Sequence, residues 1–362
     1  MQETLYRRPL PADAIAFSSE SGRQLFAEAL AAGGLDGYFR LAEQFHTQSD
    51  PAFCGLGSLV VALNALGIDP GRLWKGPWRW FSEELLDCCV ALDEVKRRGL
   101  DLSELGCLAR CNGAEVELRH ADSVDLSALR AALDDASRGR SVLIAAYDRR
   151  ALGQTGSGHF SPIGGYHAAR DLVLLLDVAR FKYPPHWVAT ARLFDAMLPI
   201  DEATGRARGW LSLRARQSGA SLGFSVSCDN QSYAVFNELL LTVKQSLEDA
   251  RGVAALVQAL APLAPHVEQR TATLPAHRER LAAARAELAS LSLHERVRPA
   301  EPERADVITL LLLAIGDLLV PAQRAFEVPA MSDDLKGEVS NLRSQLGALW
   351  MQVRARDDHP RG

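Results

Sequence analysis

The sequence predicts an α+β fold: helix-like segments come first, branched apolar strand-like runs follow, and regular βαβ alternation is missing. The first helix falls at residues 21–30, where Leu25, Phe26, Ala29 and Leu30 supply an apolar side and Gly33-Gly34 ends it. After a turn-prone stretch through Pro51 and Cys54, residues 56–66 form an apolar, helix-compatible run closed by Gly67. A longer helix is expected over 82–98 with Gly99 as its stop, and another over 126–133. Strands are expected at 141–147, 159–163 and 172–178, the last entered through a turn at 167–171.

Composition changes near residue 217. Beyond it cysteine nearly vanishes and alanine, leucine and arginine dominate. Helices are expected at 234–252, at 275–291 with a proline at its start, at 307–320 and at 333–353, with a proline-containing connector at 297–304. The chain therefore divides into residues 1–217, which carry the mixed signals, and a mainly helical accessory part, residues 218–362.

A formal net charge of -5 argues against a dedicated nucleic-acid binder. The first residues lack the apolar stretch of a secretory signal. The most hydrophobic run, 307–320, contains Asp317 and is too short for a membrane span, so a buried helix and no membrane association are expected. The cytosol is the expected compartment. Six cysteines (Cys54, Cys88, Cys89, Cys107, Cys111 and Cys228) are too sparse for a disulfide scaffold in a chain of this length. Cys88, Cys89, Cys107 and Cys111 read as buried structural thiols, with soft-metal binding or redox sensitivity as the alternatives.

Chemistry concentrates in three places. Cys54 follows a turn and opens an apolar helix, a position that favours the thiolate and hence nucleophilic acyl chemistry. Gln48, six residues upstream, could aim its amide at a developing oxyanion. His159 sits among small residues and could take the Cys54 proton and later protonate a leaving amine. Asp177 ends the apolar run 172–176, and a carboxylate there needs a partner such as an imidazole nitrogen. Each also has a structural reading: a cysteine beside a helix cap, a core histidine, and an aspartate in a surface turn or paired with Arg180. Order and spacing alone do not choose between them.

The wording of several stretches resembles the phytochelatin synthase family. These are Leu5-Tyr6-Arg7-Arg8, the run from Thr47 to Leu56, Leu63-Asn64-Ala65-Leu66, the run from Gly158 to Tyr166, the run from Leu176 to Val188, and the run from Asp201 to Trp210. The resemblance covers about residues 5–215 and implies a papain-like catalytic domain in residues 1–217. It makes Cys54 the nucleophile, His159 the general acid/base, Asp177 its orienting carboxylate and Gln48 the oxyanion side chain. Asp201 and Arg208 would hold the γ-glutamyl end of an acyl group, with Arg180, Lys182 and Tyr183 as further substrate-binding candidates. The implied reaction builds phytochelatins from glutathione, by transfer of a γ-glutamylcysteinyl group to the α-amine of glutathione or of a growing phytochelatin. No organic cofactor is implied; soft divalent ions such as cadmium and zinc would enter as thiolate complexes of the substrate. A cysteine-poor second half, with Cys228 alone near its start, departs from the cysteine-rich region of many plant members. Two rivals remain, a glutathione hydrolase on the same residues and a metal-storing module on Cys88, Cys89, Cys107 and Cys111. Whether the chain forms a homo-oligomer is left open.

Overall fold

The computed structural model describes residues 7–70, 73–87, 90–215, 224–226, 233–269, 275–316 and 326–357. Its centre is a seven-stranded antiparallel sheet. The strands are β1 (Ile15–Ala16), β2 (Ala114–His120), β3 (Val142–Asp148), β4 (Gly158–His167), β5 (Leu172–Leu175), β6 (His186–Ala189) and, after the short pair β7 (Ile200–Asp201) and β8 (Arg206–Ala207), β9 (Gly209–Ala215). Their order across the sheet is β1-β6-β5-β4-β3-β9-β2.

Strand β3 shows how the sheet is covered. Val142, Ile144 and Ala146 belong to one apolar cluster, and Leu143, Ala145 and Tyr147 to another. Successive side chains of a strand point to opposite faces, so both faces of β3 are buried. The first face packs against α3 (Cys54–Ala65) and α5 (Leu102–Cys111). The second packs against α6 (Leu126–Ser137) and α7 (Thr190–Met197), through Leu129, Leu133 and Leu193. Helices α1 (Glu20–Ala31), α2 (Tyr38–Ala42) and α4 (Leu92–Arg98) complete this half. Close backbone approach fixes the seat of β4. Tyr166 donates its N–H to Gly34 O, and a Cβ on Gly34 or on Gly165 would lie 2.1 Å from Tyr166 O or Leu35 Cδ2, respectively.

The first helix runs Glu20–Ala31, capped by Ser19, and the helix expected at 56–66 begins two residues earlier, at Cys54. The long helix expected over 82–98 does not form as one piece. Glu83–Leu85 is a single 3-10 turn, and the α-helix is confined to Leu92–Arg98, ending at Gly99 with φ 75°. The reason lies in Glu83, whose carboxylate turns inward to accept the Ser49 backbone N–H at 3.0 Å. Strands β2 and β9 went unanticipated; they pair along their whole lengths, Ala114 with Ala215 through His120 with Gly209. Residues 172–178 hold a strand only as far as Leu175, so Asp177 lies in the loop beyond it.

The remaining elements are largely helical: α8 (Tyr233–Asp249), α9 (Gly252–Leu260), α10 (Pro275–Ala289), α11 (Ser292–Val297), α12 (Ala305–Ile315) and α13 (Asp333–Asp357). A small antiparallel pair, β10 (Phe224–Val226) and β11 (Val267–Gln269), accompanies them. The composition change near 217 and residues 317–320 of the apolar run lie outside the described residues. Ile308 and Leu310 to Ile315 are fully buried, as the apolar run requires. Three side chains of α13 hold β10: Glu338 accepts from Phe224 N, Gln345 accepts from Val226 N, and Asn341 donates to Phe224 O. The same helix packs on α5, so one apolar cluster extends from Leu105 and Leu108 to Leu342 and Leu346. No helix among the described residues is long and apolar enough to cross a membrane.

Candidate active site

Cys54 is the first residue of α3, and the turn before it is held on three sides. Ala52 N donates to Asp50 Oδ1 at 3.0 Å and Phe53 N to Asp50 O at 2.9 Å. Ser49 donates both its N–H and its hydroxyl to Glu83. Gln48 N donates to Val178 O at 3.1 Å, which ties this turn to the loop that carries Asp177. A helix N-terminus leaves backbone N–H groups unpaired and favours negative charge, so the half-buried sulfur sits where a thiolate is stabilised. Burial pushes the Cys54 thiol up, but the His159 charge, hydrogen bonds from His159 and from the Phe160 amide, and last the Arg149 charge outweigh it. The thiol ends below its ordinary value.

Pairing of β3 with β4 sets His159 opposite Tyr147, the rings meeting edge to face at 5.7 Å. His159 Nε2 lies 2.9 Å from Asp177 Oδ1, which leaves Nδ1 as the nitrogen for Cys54. Burial disfavours the imidazolium, yet Asp177 and Cys54 together raise the His159 pKa above its usual value, against the opposition of Arg149. Asp177 is fully buried and accepts the Ala179 N–H at 2.9 Å. Burial favours its neutral form, but His159 and Arg149 hold its carboxyl well below the usual carboxylate range.

The cleft beside the thiol encloses about 240 Å³ and is lined by Cys54, His159, Arg98, Asp101, Asp201 and Arg208 among others. Arg208 is buried at the cleft wall, donates to Pro199 O at 2.9 Å and stands 3.9 Å from Asp201 Oδ2. Asp101 caps α5 by accepting from Glu104 N at 2.8 Å, while Glu104 takes a bidentate pair of bonds from Arg98. Burial, with Glu104 alongside and Asp201 near, pushes Asp101 up to about 7. Alternating carboxyl and guanidinium groups suit a small zwitterion with both an ammonium and a carboxylate.

The structure thus brings Cys54, His159 and Asp177 together and puts Asp201 and Arg208 in the same cleft. The other candidates stand differently. Gln48 is buried, and its Nε2 donates to Asp50 O at 2.8 Å and Pro51 O at 3.0 Å, which uses both of its hydrogens. Serving an oxyanion would require exchanging one of those bonds. Arg180 stacks on Phe45, with 4.9 Å between guanidinium and ring centroid. Lys182 donates to Thr155 O at 2.6 Å, and Tyr183 is buried with its hydroxyl accepting from Thr155 N. These four are not among the cleft-lining residues.

Sequence reasoning missed Arg149, buried at 3 % exposure against His159 and Asp177, and also missed Asp101 in the cleft wall. The Asp101-x-x-Glu104 spacing is a helix-start signature that could have located the cap. Arg149-Arg150 carries no such signal, since paired arginines after a strand read as a solvated turn. Cys107 and Cys111 are buried on one face of α5. Cys88, Cys89 and Cys228 lie outside the described residues. Among the described residues, no group of three His, Cys, Asp or Glu side chains is arranged to hold a metal ion.

A helix-borne thiol facing an imidazole and a buried carboxylate, on an antiparallel sheet flanked by helices, defines the papain-like α+β class. Within it, the chain belongs to the phytochelatin synthase family, whose profile matches residues 5–210. Similar proteins include glutathione gamma-glutamylcysteinyltransferase 1 of Triticum aestivum, 53% identical over 232 residues, which are 64% of this chain and 46% of that protein. Glutathione gamma-glutamylcysteinyltransferase 3 of Lotus japonicus is 48% identical over 261 residues, 70% of this chain and 54% of the relative. The glutathione gamma-glutamylcysteinyltransferase of Schizosaccharomyces pombe is 44% identical over 214 residues, 59% and 52% of the two chains. The chain spans about half the length of the curated relatives it matches.

Proposed function

We propose that this protein is a glutathione γ-glutamylcysteinyltransferase that makes phytochelatins, acting through a Cys54 thioester. The Cys54 thiolate attacks the carbonyl joining cysteine and glycine of glutathione, and the tetrahedral intermediate collapses with loss of glycine. The imidazolium of His159 gives the departing amine its proton, leaving a γ-glutamylcysteinyl thioester on Cys54. The α-amine of a second glutathione, or of a growing phytochelatin, then attacks the thioester; His159 takes the proton, and Cys54 is released. Asp177 keeps Nε2–H of His159 engaged so that Nδ1 faces sulfur in both half-reactions.

The observation that carries this reading is the opening of the thiol and imidazole into the cleft that holds Arg208 and Asp201. Arg208 would take the α-carboxylate of the γ-glutamyl group and Asp201 its α-ammonium. Backbone N–H groups at the start of α3 would receive the oxyanion, with Gln48 joining if it gives up a bond to Asp50 O or Pro51 O. Arg180, Lys182 and Tyr183 are proposed to act on the acceptor side or through the fold around Thr155. Cadmium or zinc enters as a thiolate complex of the substrate, because thiolates are soft ligands. Residues 1–217 would be the catalytic domain and 218–362 a helical accessory domain, working in the cytosol.

The test is to incubate purified protein with glutathione, with and without cadmium or zinc, and resolve the thiol products by mass. Stepwise addition of γ-glutamylcysteine units supports transfer. Glycine and γ-glutamylcysteine alone would replace it with hydrolysis on the same residues, and no turnover of glutathione would overturn both.

A further inference from the structure

Arg149 is the group that the reaction as written does not use, and its surroundings are unusual. An arginine at 3 % exposure has its charge removed from water, which is tolerated only with compensation in place. Its Nη1 donates to Gln154 Oε1 at 2.5 Å, and its guanidinium lies 5.1 Å from the centroid of the Tyr183 ring. Its Nη2 lies 2.9 Å from Asp177 Oδ1, 2.8 Å from Asp177 Oδ2 and 2.8 Å from His159 Nε2. When Nε2 carries the proton it gives to Asp177, that last contact is donor against donor. The shared carboxylate oxygen holds the two cations together.

We propose that Arg149 is a positioning residue that sets the charge state of the Cys54–His159 pair: a fixed buried cation, it favours the thiolate and opposes the imidazolium while Asp177 favours it. The inference rests on the reading of Cys54 and His159 as the reacting pair. The other titratable neighbours do not supply this charge. Tyr147, whose hydroxyl bonds Ser161 and whose phenol is driven up by burial, is neutral throughout. His186 is held by Pro184 O and Gln154, and burial lowers its affinity for a proton, so it too is neutral. Lys182 is a cation, but its ammonium makes an exposed bond to Thr155 O, where solvent screens it, whereas Arg149 bonds Asp177 and touches His159 out of water. Arg149 therefore acts on both members of the pair with one sign. It lowers the pH at which the thiolate forms and also lowers the pH at which the imidazolium is lost.

That gives a signature no merely structural role would produce. Without the cation both midpoints move upward together, by about one to two pH units for a unit charge several ångströms away at an effective dielectric near 20. Loss of the Asp177 charge, opposite in sign, moves both downward instead. The experiment uses the full chain without substrate. Iodoacetamide alkylation of Cys54, read by peptide mass against pH, gives the thiolate midpoint; ¹⁵N-histidine NMR of His159 gives the imidazolium midpoint. Arg149→Met and Arg149→Gln should shift both upward, and Arg149→Lys should return both to within about 0.3 pH unit of the parent, on the same charge argument. Neutral variants that fold with both midpoints unmoved overturn the proposal. So does Arg149→Lys with displaced midpoints, which decides the matter even if neither neutral variant folds. A parent whose Cys54 shows no depressed midpoint, together with turnover that survives Cys54→Ala, instead sinks the underlying choice of reacting pair.

Discussion

Replacing Asp177 by Asn isolates the carboxylate charge with little change of shape. In the parent, Oδ1 receives Ala179 N–H, Arg149 and His159 Nε2, each at 2.9 Å. An amide has one oxygen to offer in place of two, and its NH₂ group would face a nitrogen. Pointed at His159, that NH₂ donates to Nε2 and drives the ring proton to Nδ1, the nitrogen that in the proposed reaction accepts a proton from the incoming amine. The wrong tautomer costs about two to four orders of magnitude in turnover. The fold pays as well, because the Arg149 cation is left buried without its counter-charge, an effect of about 3 kcal/mol. The pH dependence has a definite sign. The folded-state carboxyl is held below its ordinary value, so its stabilisation is complete above about pH 4 and is lost as pH falls toward the folded value. His159, whose pKa is raised, contributes stability below about pH 6.5 that is lost as pH rises through its folded value. Asp177→Asn should remove the first contribution and shrink the second. The assay is glycine release at saturating glutathione from pH 5 to 10, with thermal unfolding over a range extended to pH 2. Turnover within about threefold of the parent would refute the tautomer argument.

Cys54→Ala should abolish both glycine release and peptide extension while leaving the unfolding temperature close to the parent's, measured by product mass and by calorimetry. Arg208→Ala should raise the KM for glutathione about tenfold or more by removing a charged contact, with a smaller effect on a donor lacking the γ-glutamyl carboxylate; equal kinetics with both donors would contradict that contact. Asp101→Asn keeps the cap oxygen that Glu104 N uses, and it removes a carboxyl pushed up to about 7. The folded parent holds that proton longer than the unfolded chain, so its stability through this group falls from about pH 4 to pH 7; the variant should lose that slope in denaturant titrations. Asn341→Ala breaks the buried bond from α13 to Phe224 O and should cost about 1–3 kcal/mol in the same titrations.

Local pattern reached the helix that carries Cys54 and the strand that carries His159, because turn residues before an apolar run and branched residues between turns are short-range signals. It failed at residues 82–98, where periodicity suggested one helix but Glu83 is drawn inward to Ser49, thirty-four positions away. It failed again at β2 and β9, whose stability comes from pairing across a long separation that a sequence window does not contain. The family resemblance supplied the candidate site residues as a set; the residues alone did not.

What the sequence determined by itself is therefore the inventory and its local presentation: a thiol at a helix start, a histidine among small residues, and a carboxylate after an apolar strand. Tertiary structure alone decided their convergence, and with it the burial of Arg149 between His159 and Asp177 and the entry of Asp101 into the cleft wall. The physical reason is that helix starts and strands depend on neighbours a few positions away. Desolvation and charge pairing depend instead on whatever the closed sheet brings within a few ångströms. Arg149 and Arg150 are adjacent in the chain, yet Arg149 is buried while Arg150 is exposed and pairs with Asp148.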